Sequence, residues 1–428
     1  QSAWPRAIAL ARRAETDAVH GDEAYAIEAL AFRSAGDRDG ARAAFLKLRE
    51  RRPSAPLGYV GALCDLGADP LESATVLKKA CDVLGPAPFG LDLAVALDLA
   101  SRSAGSADDE PVKLAHAALQ RAANDETATF VEAAALLRRG RGDEAGATLA
   151  AAGVAPELRG ALATLDRETL GRLELLLALR RHRFDQEAAT VARALLEKDS
   201  KNLVLAIFGA RALAASGDVA RAKEVLGAAV AAAPRSIPCR LELGLLLGSA
   251  KETRAEALSL FEQGTGLVSE SPQLALGRAM ALEELGRADE AIAAYRQVIA
   301  IDPRNGIARN NLAWLLVQKG TPDAVAEALA ISRAVVAEMP NLPAALDTLS
   351  RVLIAKGELG PALEDAQKAA RLAPLDAGIR LTFARALDAL GRKQDAANQY
   401  EVSLLLSSSF EGRAEAEKRL AELRPGSR

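Results

Sequence analysis

Aromatic side chains are scarce in this sequence, at 4% of 428 residues, and that shortage is the first constraint on its fold. Sheets draw on Val, Ile, Thr and aromatics for their half-buried surfaces. Ala and Leu are conspicuous here instead, and both lose little side-chain entropy in a helix. With 50% of the residues hydrophobic, the composition implies an all-α chain. Cysteine is equally thin. Cys64, Cys81 and Cys239 are the only three, with no CxxC or Cys/His ligand spacing, which excludes a disulfide-dense scaffold. Each lies in an apolar helical context, where a thiol behaves as a small buried hydrophobe. No uninterrupted apolar run approaches the ~18–20 residues that span a bilayer. The chain starts at Gln1 and its methionines are Met280 and Met339. The natural start is therefore expected upstream, where a signal peptide, a lipid anchor or a further domain would sit.

Neither sign of charge prevails. Lys and Arg number 54 against 57 Asp and Glu, a formal net charge of -3, and the two signs share the same helices. Such mixing is the pattern of solvated helix faces. A basic stripe and a long acidic tail are both missing, so no nucleic-acid partner is expected.

The usual parts of an active site are also lacking. The three histidines, His20, His116 and His182, have no HxxxH or other ligand spacing, so a metal site would have to assemble from distant segments. Exposed or capping roles fit them better. There is no GxSxG elbow and no GxxxxGK[ST] phosphate loop. Gly140, Gly142 and Gly146 form GxGxxxG with no strand before it and with Arg138, Arg139 and Arg141 crowding it, which reads as a slack inter-helix turn. Asp108, Asp109 and Glu110 read as a solvated loop. No catalytic residue, cofactor or metal is assigned, and the chain is expected to be non-enzymatic.

What the sequence does have is a repeat. Its clearest unit, PQLALGRAMALEELGRADEAIAAYRQVIAIDPRN, runs from Pro272 to Asn305. One apolar stripe (Leu274, Arg278/Ala279, Leu282, Leu285) is followed by Gly286, then by a second stripe (Ala291, Tyr295, Val298, Ile301) and Pro303. Two helices with i, i+3/i+4 spacing and a short turn make an αα-hairpin. The turn glycine recurs as Gly36, Gly217, Gly286, Gly320, Gly357 and Gly391, where positive φ carries no penalty. Five residues later stands a small residue: Ala41, Ala222, Ala291, Ala362 or Ala396. Four further stands a larger one, Phe45, Leu226, Tyr295 or Tyr400, with Ala366 as an exception. Pro53, Pro234, Pro303, Pro340 and Pro374 close the second helices, which proline cannot continue. Pro340 to Pro374 spans 34 residues (374 − 340) and Pro303 to Pro340 spans 37 (340 − 303). The surplus is assigned to the turn around Thr321, Pro322 and Asp323.

These residues resemble tetratricopeptide repeats, whose pattern combines W-x2-L-G-x2-Y, A-x3-F and a closing Pro. The resemblance implies a right-handed superhelical α-solenoid of about eleven helix-turn-helix units, starting with a partial one at Trp4–Val19. It is strong over 202–409 and good at 22–55, whereas 56–200 is degenerate in spacing. Residues 1–100 are thus read as N-terminal units, 101–200 as degenerate units, 201–409 as a regular array and 410–424 as a capping helix. Polar Ser101–Pro111 and the stretch Gly153–Arg167 interrupt the pattern and read as two long inter-helix loops, the alternative being that they divide the array into an N-terminal and a C-terminal superhelical block. Within the class, ARNNLAWLL (308–316), PAALDTLSRVL (343–353) and IRLTFARALDALGR (379–392) resemble repeat proteins of bacterial envelopes, including lipoproteins of exopolysaccharide export. Ser350 and Arg351 depart from the LGWVL common in those relatives.

Stacked repeats present a groove lined mainly by first helices. The register places Arg211, Met280, Glu283, Glu284, Asn310, Trp314, Gln318, Asp347, Arg351, Arg385 and Asp388 on it. Trp314 stands out because Trp and Arg are enriched in binding hot spots, and Asn310 is suited to bonding an extended backbone. The carboxylate clamp of some family members needs Lys and Asn at fixed places. Asn311 fits one, but Leu276, Met280, Ala344 and Thr348 do not fit the others. The expected function is a scaffold binding a protein or peptide partner in the groove, in bacterial envelope polymer export or assembly, with a periplasmic or envelope location favoured over the cytoplasm. The alternative is a regulatory or substrate-recruiting module of a larger enzyme, a kinase or glycosyltransferase. Oligomeric state does not follow from the sequence.

Overall fold

A computed structural model describes residues 25, 28–29, 31–32, 38–53, 56–64, 66–101 and 109–424. Over these residues the chain forms 22 α-helices and two 3-10 helices, with no strand among the described residues. The partial unit Trp4–Val19, His20, Gly36 and Asp108 lie outside them. The chain divides into two compact units, 1–243 and 244–428. The sequence boundaries at 100/101 and 200/201 follow repeat regularity, a different property.

Unit 2 is the regular stack. Its hairpins pair Pro272–Glu284 with Ala288–Ile301, Gly306–Lys319 with Pro322–Glu338, Pro343–Lys356 with Leu359–Leu372, and Ala377–Ala389 with Lys393–Leu406. Side-chain caps start three of these four first helices: Ser271 Oγ, Asn305 Oδ1 and Asp376 Oδ1 accept from the backbone N–H groups of Leu274, Ala308 and Ile379. Each such cap stabilises its helix by about 1 kcal/mol. The turn glycines Gly286, Gly320, Gly357 and Gly391 have φ between 69° and 81°, a region where a Cβ would be strained.

The small and large positions pack as their spacing predicts. Ala291, Ala362 and Ala396 are fully buried, as are Tyr295 and Tyr400, because a methyl lets the second helix close on the first and a ring then fills the gap to the next hairpin. Pro303, Pro340 and Pro374 each stand two residues beyond the end of a second helix. The surplus residues between Pro303 and Pro340 are not in the turn. Thr321 caps the following helix, its Oγ1 accepting from the Ala324 N–H, and Pro322 occupies the first turn. The helix Pro322–Glu338 has 17 residues where its counterparts have 14, so the insertion lengthens the helix.

First helices also touch one another, Gly306–Lys319 on Pro343–Lys356 and that helix on Ala377–Ala389. These contacts set Gly306–Lys319, Pro343–Lys356 and Ala377–Ala389 side by side as a first-helix face. The stack ends on Arg413–Leu423, whose Ala416 is buried with Leu381, Leu387 and Tyr400, with Phe410, Leu420 and Leu423 packed around them. This is the expected cap.

Unit 1 is less regular. It contains the 3-10 helix Pro56–Cys64, and the helix Arg167–Arg181 packs on both Gly90–Ala100 and Glu126–Arg138. The stretch Gly153–Arg167 is not a long loop. It holds the short helix Pro156–Ala163, which packs on Gly142–Ala151 and Leu203–Ala215 and is tied down by Asn202 Nδ2 donating to the Ala161 carbonyl at 2.7 Å. Gly140, with φ of 75°, forms the inter-helix turn before Gly142–Ala151. His182 sits at the C-cap of Arg167–Arg181, and His116 is half exposed beside Glu132.

Candidate partner-binding groove

In unit 2 the first helices Pro272–Glu284 and Gly306–Lys319 stand on either side of a cleft of about 800 Å³. Residues one turn apart on a helix share a stripe, and Asn311, Trp314 and Gln318 meet the cleft in this way, opposite Met280, Glu283 and Glu284 of the preceding first helix. Glu411 closes it from the segment before the capping helix, accepting from Gln318 Nε2 at 3.4 Å. A contact across 93 residues means that the face curves back on itself within the unit. Trp314 is neither fully buried nor fully exposed. Asn310, half-buried one position away, is not on the cleft wall; Asn311 takes that place.

Below the cleft the buried Tyr295 hydroxyl donates to Glu283 Oε2 and accepts from Asn311 Nδ2 at 3.0 Å. The ring is a core residue of the repeat, yet its polar end holds two cleft residues in place. Burial pushes the Glu283 carboxyl above its ordinary range, the Tyr295 hydroxyl draws it back, and the Glu284 and Glu411 carboxylates raise it again.

Farther along the face, the expected groove ions are paired. The Arg351 guanidinium lies over the Trp314 ring, 4.4 Å from its centroid, and donates to Asp347 Oδ2 at 2.7 Å. Burial pushes the Asp347 carboxyl up, an effect that Arg351 opposes. Arg385 Nε donates to Glu415 at 2.9 Å. Asp388 receives two nitrogens of Arg419, the shorter contact 2.6 Å, and the Tyr400 hydroxyl at 3.4 Å. Arg211 belongs to unit 1. There it stacks on Phe208 and bridges Glu242 and Glu126, which accept at 2.9 and 2.6 Å.

Sequence reasoning missed Glu411, Arg254 and the acceptors Glu415 and Glu126. Each is brought in from another helix or turn, at separations of 30 residues or more. The one usable signal was the hydroxyl of Tyr295, a polar end at a core position that calls for a partner. Among the described residues no group of three or more His, Cys, Asp or Glu is placed to hold a metal ion, and no helix is long and apolar enough to cross a membrane.

Residues 241–407 match the family model described as tetratricopeptide repeat. The hairpin geometry and this match define that segment as tetratricopeptide repeats. Among solved structures, the chain is similar to a tetratricopeptide repeat protein from Parabacteroides merdae, at 14% identity over 60% of this chain and 99% of that one, with a TM-score of 0.48. It is similar to the APC/C hetero-tetramer Cut9–Hcn1 at 17% identity, over 99% of this chain and 87% of that one, with a TM-score of 0.44. Yeast Tom70 is similar at 16% identity, over 94% of this chain and 88% of its own, with a TM-score of 0.43. No curated protein matches the chain in sequence.

Proposed function

We propose that the chain is a non-enzymatic protein–protein interaction scaffold, and that unit 2 docks a peptide or protein partner along its first-helix face. The observation that carries this reading is the Trp314 cleft, where a half-buried indole and Met280 stand among polar groups held by their own hydrogen bonds. A large rigid aromatic in a preformed cleft is the usual anchor of an interface, and a few such anchors carry most binding energy. We place the work of the scaffold in bacterial envelope polymer export or assembly, on the periplasmic side. That setting is supported by the resemblance of 308–392 to envelope repeat proteins.

Affinity capture from cells that naturally make the protein tests both parts. Wild type, Trp314→Ala and Arg296→Ala, the last on an exposed second helix, are first matched by circular dichroism. A protein retained by wild type and Arg296→Ala but lost from Trp314→Ala is the expected result. A partner held equally by all three moves the working surface off the cleft. Recovery of the chain solely with cytosolic markers refutes the envelope setting.

A further inference from the structure

The charges around the Trp314 cleft do not balance. Farther along the face, Arg351 is matched by Asp347, Arg385 by Glu415 and Asp388 by Arg419. At the cleft, three carboxylates, Glu283, Glu284 and Glu411, meet one guanidinium, that of Arg254, and Arg254 is engaged with Glu284 at 3.1 Å. Glu283 and Glu411 face neutral donors, the Tyr295 hydroxyl and the Gln318 amide. Such contacts orient a carboxylate without cancelling its charge. The raised Glu283 carboxyl has the same origin, burial first and then its two acidic neighbours.

A cation brought to this place relieves repulsion that the fold already contains. The carboxylates do not converge closely enough to make a metal-ion cage among the described residues, so a small ion gains little. A Lys or Arg side chain fits better. Its alkyl stem lies on apolar surface while its head reaches the charge, and Met280 and Trp314 supply that surface. The indole already carries one guanidinium, that of Arg351, which is the geometry a cation takes over an aromatic face.

We infer that the cleft receives a basic, extended segment of a partner protein, with a Lys or Arg head among Glu283, Glu284 and Glu411 and its stem on Trp314 and Met280. This inference rests on the cleft being the docking site. Charge complementarity of this kind raises the association rate and selects partners.

Trp314 provides the readout. The sequence has two tryptophans, and Trp4→Phe leaves Trp314 alone to report. Synthetic peptides alternating Ala with Lys, Ser or Glu are titrated into the full chain while its emission is followed. The Lys peptide is expected to shift the emission and to bind about tenfold or more tighter than the Ser peptide, and the Glu peptide more weakly still. Raising salt from about 50 to about 500 mM should weaken the Lys peptide, because exposed charges are screened. Glu283→Gln combined with Glu411→Gln should lose about tenfold in Lys-peptide affinity. Glu411→Gln alone, in an exposed turn, should lose part of it without disturbing the fold. Equal affinity for the Lys and Ser peptides, or full Lys-peptide affinity in the double variant, overturns the basic segment and leaves the docking cleft standing. Calcium chloride producing the same shift as the Lys peptide overturns it in favour of a metal site. Silence toward all three peptides also overturns it, while the capture experiment judges the docking surface independently.

Discussion

The two units solve the same packing problem by different chemistry. No charged residue of unit 2 is fully buried among its described residues, Glu283 and Asp347 being partly so; its fully buried polar residues are Ser271, Ser332, Thr348, Ser350, Thr382 and Ser403, with Tyr295 and Tyr400 beside them. Unit 1 buries Glu28, Asp92, Asp98, Glu132, Glu174 and Arg240. At its centre Asp98 accepts from both Arg138 and Arg139, and Arg138 also reaches Glu174 at 3.0 Å. Asp92 lies 2.9 Å from His182, whose ring stacks on Phe89. Where small and large apolar positions recur, matched sizes fill the space between one hairpin and the next, and polar contacts such as Asn311 to Tyr295 lie at its edge. Where the spacing degenerates, a directional ion network specifies the fit, at the cost of desolvating the ions. Unit 2 carries ion pairs on its first-helix face, among them Arg351–Asp347 and Arg385–Glu415, and on its second helices, as Arg296–Glu327.

The largest expected effect is on the buried network. Arg138→Met leaves the Asp98 carboxylate short of a charged donor and Glu174 without its hydrogen-bond partner, and should destabilise unit 1 by about 3–5 kcal/mol. Amide exchange on the full chain should show unit 2 protected as before; loss of protection in both units would erase the distinction. In unit 2 the sensitive element is a contact of size. The Phe261 ring lies between Gly244 and Gly277, and a Cβ at either would stand 2.2 or 2.5 Å from it. Gly277→Ala should cost about 1–3 kcal/mol through overpacking. Gly306→Ala meets only the mobile end of Met339 and should cost clearly less in the same chemical denaturation. Equal losses would mean that size matching is not what holds unit 2.

A pH series sharpens the comparison further. Burial pushes the Glu174 carboxyl well above 4.5, Asp98 adds to the rise and Arg138 opposes it. Between 4.5 and that higher folded value, the folded state keeps a proton that the unfolded state releases. Its contribution to the stability of unit 1 is complete below the unfolded value of 4.5 and is lost as pH rises toward the folded value. Glu174→Gln should remove that slope from denaturation curves of unit 1; an unchanged slope would assign it elsewhere. The smallest expected difference is in local opening. Amides in 56–200 should exchange faster than those in 272–405, because repeats stabilise mainly their neighbours and irregular interfaces do so less well. Uniform protection would contradict it.

The hairpins of unit 2 were legible because glycine, alanine, ring and proline each act locally, within one turn or one interface. The regularity of Gly286, Ala291, Tyr295 and Pro303 is a record of those contacts. The longer helix Pro322–Glu338 was misplaced into a turn because Thr321 and Pro322 serve a helix start as readily as a turn. The short helix Pro156–Ala163 escaped because eight residues carry too few turns to display a period. At the site, Trp314 and Met280 were readable from helical register, whereas Glu411 comes from 93 residues beyond Gln318. Curvature within the unit brings them together, and no local pattern encodes it. The pairings of Arg351 and Arg385 were foreseeable only as charges with acidic neighbours nearby.

The account is tested most directly by photo-crosslinking from two positions in cells that naturally make the protein. Benzoylphenylalanine replaces Gln318 on the cleft rim in one variant and Arg296 on an exposed second helix in the other. The scaffold reading predicts a discrete adduct from position 318, none from 296, and loss of the adduct when Glu283→Gln and Glu411→Gln are added. An adduct from 296 alone, or the same adduct from both positions, would contradict it.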